Sequence, residues 1–151
     1  VALNGLTNVY TFNAGIGAAP HWTRIPVLNP MQPGINHGGL QLEGHSFGEP
    51  VMVTTIDAYG FDELALLQAD VEGMEEDVLR GAQETIRKYR PVLYLEDDRM
   101  EKSESLRRFI TELGYEIVPH NTRLYNPYNH ARNPQNRFDI TISQNILCLP
   151  K

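Results

Sequence analysis

The chain is poor in cysteine, in positive charge and in long apolar runs, and each shortage removes a class of protein. Its single Cys148 lies in the apolar run "NILCLP". No internal disulfide is possible, and the residue reads as a small hydrophobe buried in a strand, compatible with a reducing compartment. Lys and Arg number 13 against 19 Asp and Glu, a formal net charge of −6. Phosphate backbones need clustered positive charge, so a nucleic-acid partner is not expected. No apolar run approaches the roughly 20 residues of a membrane helix, and no secretory leader is visible. A soluble, cytoplasmic protein without a membrane partner is therefore expected. The histidines are His21, His37, His45, His120 and His130, and none makes an i, i+4 pair or another ligand spacing. No metal site is expected from them. They read as solvated loop residues, with His37, His45 or His130 lining an acceptor pocket as the sharper alternative.

A complete glycine-rich phosphate loop is also missing. "GIGAAP", Gly15 to Pro20, holds two glycines of the dinucleotide fingerprint but puts Pro20 where the third belongs. The following "HWTRIPVLNP" has no apolar helical stripe. It reads as a turn after a strand at Val9–Phe12. From about Pro20 to Pro50 the chain is a long Gly- and Pro-rich loop, with room for short hairpins around "NHGGLQLEGHSFGEP".

What is present is an alternation of strands and helices. "VMVTTIDAY" is a β-branched strand. "LALLQAD" is a near-continuous apolar run ending in Asp70, the pattern of a strand buried on both faces. From Met74 a helix follows, with Met74, Val78, Ala82 and Ile86 recurring every fourth residue. Glu75, Glu76 and Asp77 fall in its first turn and Arg87, Lys88 and Arg90 near its end, as the helix dipole favours. The run "RKYR" reads as a solvated helix end, and Pro91 stops it. "VLYLE" is a second buried strand ending in Glu96, Asp97 and Asp98. A second helix presents Leu106, Phe109, Ile110 and Leu113, with Gly114 placed to end it. "YEIVP" is a strand, "NTRLYNPYNHARNPQNRF" a polar loop, and "DITISQNILCLPK" the closing strand. This rhythm implies a single α/β domain over residues 1–151 with both acid-tipped strands reaching one sheet edge. Ligands of open α/β sheets bind outside the carboxyl ends of the strands.

Several stretches together resemble the FkbM-type methyltransferases. They are Thr55-Ile56-Asp57 at a strand end, Asp70-Val71-Glu72-Gly73 with Glu75, Leu79-Arg80-Gly81-Ala82, and Arg90-Pro91 with Glu96. The Asn-rich loop "LYNPYNHARNPQNRF", the closing "NILCLP" and the opening "LNGLTNV" are similar to the family as well. The resemblance implies a truncated Rossmann-like class I methyltransferase sheet, a three-layer α/β/α arrangement with a terminal antiparallel strand. It implies S-adenosylmethionine as cofactor and a small-molecule, saccharide or lipid-linked hydroxyl as acceptor. Family members begin with a glycine-rich "D-x-G-A-N-x-G" loop and a second acid-tipped strand. By this alignment Val1 falls after both, so an incomplete domain is expected.

Methyl transfer from a sulfonium is an in-line displacement that requires alignment of the acceptor, removal of its proton and exclusion of water. Asp70 and Glu72 at one strand tip, and Glu96 at the next, are the candidate catalytic acids. Gly73 is a candidate for close backbone approach to substrate. Asn13 and Ala14 match by position where this class of fold meets adenine. Asn129 and His130, in the polar loop, are candidates for acceptor binding, although Asx turns would equally explain that loop. Two rival readings remain. One is a non-catalytic module that associates, as a homo-oligomer, through exposed sheet surface. The other is a metal-dependent hydrolase built on Asp70, Glu72 and Glu96, disfavoured by the missing histidine spacing and nucleophile elbow.

Overall fold

In the computed structural model the described residues are 2–29, 31, 39–42 and 44–151. Seven strands run in chain order: β1 (Gly15–Ile16), β2 (His21–Ile25), β3 (Glu49–Thr54), β4 (Leu66–Ala69), β5 (Val92–Glu96), β6 (Tyr115–Arg123) and β7 (Ile142–Pro150). Among the described residues three α-helices accompany them, α1 (Glu75–Arg80), α2 (Gln83–Tyr89) and α3 (Met100–Glu112), with short 3-10 turns at Ala2–Asn4 and Asp57–Tyr59. The strands form two sheets, ordered β1-β3-β2 and β4-β5-β7-β6. β4 and β5 are parallel, joined through α1 and α2, whereas β7 runs antiparallel to both β5 and β6. Because β6 opposes β7, it points the same way as β4 and β5. All three therefore end at one edge.

Strand alternation decides where the core sits. Leu67 and Ala69 of β4 pair with Leu93 and Leu95 of β5, which pair in turn with Cys148 and Ile146 of β7. These six are buried in one cluster with Val78, Leu79, Ala82 and Ile86 of the α1–α2 segment and Leu106, Phe109 and Ile110 of α3. Burying each large aliphatic side chain contributes about 1.5–3 kcal/mol, so this seam holds the domain together. Cys148 is wholly buried, and burial pushes its thiol up to about 12. The opposite sheet face carries Leu66, Gln68, Tyr94, Leu147 and His120. There Leu66 and Gln68 are exposed, so β4 is buried on one face rather than both. The described helices cover the other side only.

Three further details differ from the sequence expectations. Residues Val9–Phe12 form no strand; Tyr10 and Phe12 are exposed, and the ladder begins instead at Gly15–Ile16, beside Val53 and Thr54. A strand needs a partner, and β3 gives its two edges to β1 and to β2. β2 lies inside the expected loop and closes a long-range antiparallel pair, His21 opposite Val53 and Ile25 opposite Glu49. Part of the anticipated hairpin region, including His37, lies outside the described residues. Finally, β6 runs on to Arg123, so the polar loop begins only at Leu124.

The helix expected from Met74 to Arg90 is broken at Gly81–Ala82. The cause is Asp57, 27 and 28 residues upstream of the two amides it takes. Its carboxylate accepts the Glu84 amide at 3.1 Å and the Thr85 amide at 2.8 Å, while its own amide donates to the Gly81 carbonyl at 2.9 Å. In an unbroken helix those two amides would bond the carbonyls of Arg80 and Gly81. Asp57 takes their place and caps α2. The backbone also crowds this point. A Cβ on Gly81 would lie 2.1 Å from the Gly17 carbonyl oxygen, so only glycine fits.

Candidate active site

The turn after β4 brings the acids of "DVEGMEE" to the sheet edge and sorts them. Glu72 and Gly73 both take left-handed backbone, φ 57° and 91°, the first of these uncommon for a residue with a side chain. Glu75 holds the turn. Its buried carboxylate accepts the amides of Val71 at 3.0 Å and Gly73 at 3.3 Å. The dipole role expected of Glu75 is thus joined by a direct structural one. Glu72 forms an ion pair with Arg99, just before α3. Its carbonyl accepts the Gln41 side-chain amide at 2.9 Å. Gly73 is buried beneath the same region: Lys102 Nζ donates to its carbonyl at 2.8 Å, and Arg99 Cγ lies 3.1 Å from where a Cβ would stand. Asp70 stays exposed at the strand tip.

Glu96 at the end of β5 meets these groups from the side. Burial, then the charges of Asp70, Asp98 and Glu72, raise its carboxyl to about 7. Its Oε2 is buried and has no hydrogen-bond partner among the described residues. Like charges around it favour the neutral form of Glu96. Arg107 binds Oδ2 of the neighbouring Asp97, with Nε at 2.7 Å, while Asp97 Oδ1 is buried and, among the described residues, unpartnered like Glu96 Oε2. A cavity of about 230 Å³ opens beside Glu96, between the starts of α1 and α3, and is bordered by Gly73, Arg99 and Lys102. The structure thus brings Asp70, Glu72, Gly73 and Glu96 together at one edge.

The other expected residues lie elsewhere. Asn13 and Ala14 line a shallow cleft of about 270 Å³ with Phe12, Met52, Thr54, Ala58 and Tyr59. Its rim is aromatic: Phe12 and Tyr59 meet edge to face at 4.9 Å, and Tyr59 stacks on Phe61 at 5.7 Å. Asn129 is occupied inside its own loop. Its Nδ2 donates to the carbonyls of Asn126 and Asn133, and its Oδ1 accepts the Asn133 amide. Asn126, Asn133 and Asn136 each accept the amide two residues on, making three successive Asx turns. His130 is exposed on this loop. His21 and His45 sit by nearby carbonyls, of Ala19 and Gln41.

The sequence places His120 among solvated loop histidines, whereas it lies on β6. Register places it opposite Asn145, which lies opposite Glu96. The three therefore share one row on the helix-free face. The Tyr94 hydroxyl lies 2.8 Å from His120 Nδ1 and anchors the ring. The alternation Tyr94–Glu96 and Val118–His120 was the available signal, hidden because β6 was expected to end at Pro119.

Arg90 corrects another expectation. It is no solvated helix end: its guanidinium donates to the carbonyls of Leu113 and Gly114, both at 2.7 Å, and covers the Tyr115 ring. The Tyr115 hydroxyl returns a bond to the Pro91 carbonyl at 2.8 Å. Arg90 thus ties the end of α2 to the end of α3.

The sheet of order β4-β5-β7-β6, with β7 reversed and carboxylates gathered at the strand tips, is a mixed α/β arrangement of Rossmann-like class. Residues 10–117 match the Methyltransferase FkbM domain family. The chain belongs to that family. A crystal structure of a methyltransferase FkbM from Methylobacillus flagellatus shares the fold, with TM-score 0.54 and 19% sequence identity. The match covers 89% of this chain and 27% of that one, so the present chain spans about a quarter of the solved protein's length. No curated protein sequence matches it. Among the described residues no helix is long and apolar enough to cross a membrane.

Proposed function

We propose that the chain is the acceptor-side part of an S-adenosylmethionine-dependent O-methyltransferase acting on a hydroxyl of a small-molecule, saccharide or lipid-linked acceptor. The observation that carries this reading is the meeting of Asp70, Glu72 and Glu96 at one sheet edge in a member of this family. The cleft beside Asn13 and Ala14 suits the cofactor's flat adenine: it is apolar, shallow and bounded by the Tyr59 ring. When bound, the cofactor supplies an electrophilic methyl group on a sulfonium.

The residues divide the remaining work. Glu96, raised to about 7, is basic enough as the carboxylate to take a hydroxyl proton near neutral pH. Asp70, whose charge acts on Glu96, orients the hydroxyl. Glu72 does not serve as a base, because Arg99 already occupies its carboxylate. Its part is to hold Arg99 against the Gly73 turn and close that side of the site.

Calorimetry on the full-length protein is the first test. S-adenosylhomocysteine should bind with a micromolar to submillimolar dissociation constant, and no heat at millimolar ligand would sink the cofactor assignment. The second test is Glu96→Gln, which should lower methyl transfer at least ~100-fold, the usual contribution of a general base, with S-adenosylhomocysteine affinity unchanged. Full activity in that variant would remove Glu96 from the mechanism.

A further inference from the structure

We propose that Asp57 and Tyr89 are positioning residues for the aromatic cleft, acting through Tyr59. The inference rests on the reading of that cleft as the place of the cofactor's adenine. The segment from Asp57 to Phe61 carries the wall of the cleft, and it is fastened at both ends to the same short helix. At one end the Asp57 carboxylate accepts the Glu84 and Thr85 amides, and its amide donates to the Gly81 carbonyl. At the other, the Tyr89 hydroxyl donates to the Phe61 carbonyl. Between the anchors the chain makes one tight turn: Tyr59 donates its amide to Ile56, and Gly60, in left-handed backbone at φ 61°, donates to Asp57.

Helix α2 therefore acts as a ruler. Thr85 and Tyr89 are four residues apart, about 6 Å along the axis, and that fixed length sets the span of the segment. The span in turn decides where the Tyr59 ring stands, 4.9 Å from Phe12 and 5.7 Å from Phe61. Neither Asp57 nor Tyr89 borders the cleft, while Ala58 and Tyr59 do. Both anchors act on ligand only through the ring they place.

The test is a mutant cycle on the full-length protein, read as the dissociation constant of S-adenosylhomocysteine. Asp57→Ala should weaken binding about tenfold, the equivalent of ~1.4 kcal/mol and of the order of one lost helix cap. Tyr89→Phe, which removes one hydroxyl, should weaken it about threefold. In a Tyr59→Ala background neither substitution should change the constant further. Loss of stability alone would not produce that last result. Should Asp57→Ala fail to fold, the Tyr89→Phe and Tyr59→Ala pair completes the same cycle. Binding within twofold of wild type in both single variants would overturn the proposal. So would an undiminished effect in the Tyr59→Ala background. If wild-type protein takes up no S-adenosylhomocysteine, the cofactor reading itself is lost. Amide exchange then still judges the clamp: faster exchange of residues 58–61 in Asp57→Ala upholds it, and unchanged exchange overturns it.

Discussion

The two ends of α2, held by Asp57 and by Arg90, and the strand tips at Asp70, Glu72 and Glu96 both gather charged groups, yet place them quite differently. At the helix ends the Asp57 carboxylate has two amides and the Arg90 guanidinium two carbonyls. At the tips, Asp70 is exposed and Glu96 has a buried oxygen with no partner among the described residues. Buried polar groups are ordinarily satisfied, so an unsatisfied carboxyl among like charges costs stability. Glu72 and Glu75 repeat the contrast three residues apart. Glu75 is buried and spent on two amides, whereas the half-buried Glu72 is held in an ion pair with Arg99.

Substitutions can break this comparison. The largest effect is expected of Gly81→Ala, whose new methyl group must displace the Gly17 carbonyl. A loss of about 3 kcal/mol in urea denaturation is expected, and a loss under ~1 kcal/mol would mean that the α1–α2 junction yields. Arg90→Ala should cost about 2 kcal/mol through two abandoned carbonyls and the lost contact with Tyr115. Arg90→Lys should recover only part, since an ammonium lacks the planar fork. The sharpest contrast pairs Asp57→Ala, expected to cost ~1–2 kcal/mol as a lost cap, with Asp70→Ala, expected to stay within ~0.5 kcal/mol as a surface change. Equal costs would erase the distinction. In the Asn-rich loop, Asn129→Ala should cost about 1 kcal/mol and leave the proposed methyl transfer of the full-length protein intact, its polar atoms being bonded within the loop. A large loss of activity would return that residue to the acceptor site.

Much of this fold was legible in the chain. The apolar runs "LALLQAD" and "VLYLE", with a 3.6-residue period between them, dictate two parallel strands with acids at a common edge, and Asp70 and Glu96 stand there. Local periodicity does not carry long-range pairing. Nothing within ten residues of Asp57 shows that it caps a helix starting after Ala82, and the regular Met74–Ile86 spacing conceals the break. Arg90 reads as a dipole partner of its own helix, although its carbonyl partners lie 23 and 24 residues on. His120 depends on the β6–β7 register across an 18-residue connection, where a shift of one residue would turn it to the other face. Face burial was misjudged for a related reason. A run of leucines shows which strand is apolar, not how many of its faces the chain itself covers.

The most direct measurement compares wild type with Glu96→Gln by urea denaturation from pH 4 to pH 9. Glu96 is raised from 4.5 to about 7 in the folded chain, so folding favours its protonated form. Wild type should therefore match the variant below about pH 4.5. It should lose ground as the pH climbs through 7, and end up less stable by ~1 kcal/mol, a figure kept small by solvent screening of a partly exposed group. A variant that is no more stable than wild type at pH 8, or a difference that does not change with pH, would contradict the claim that this carboxyl is held uncompensated for chemistry.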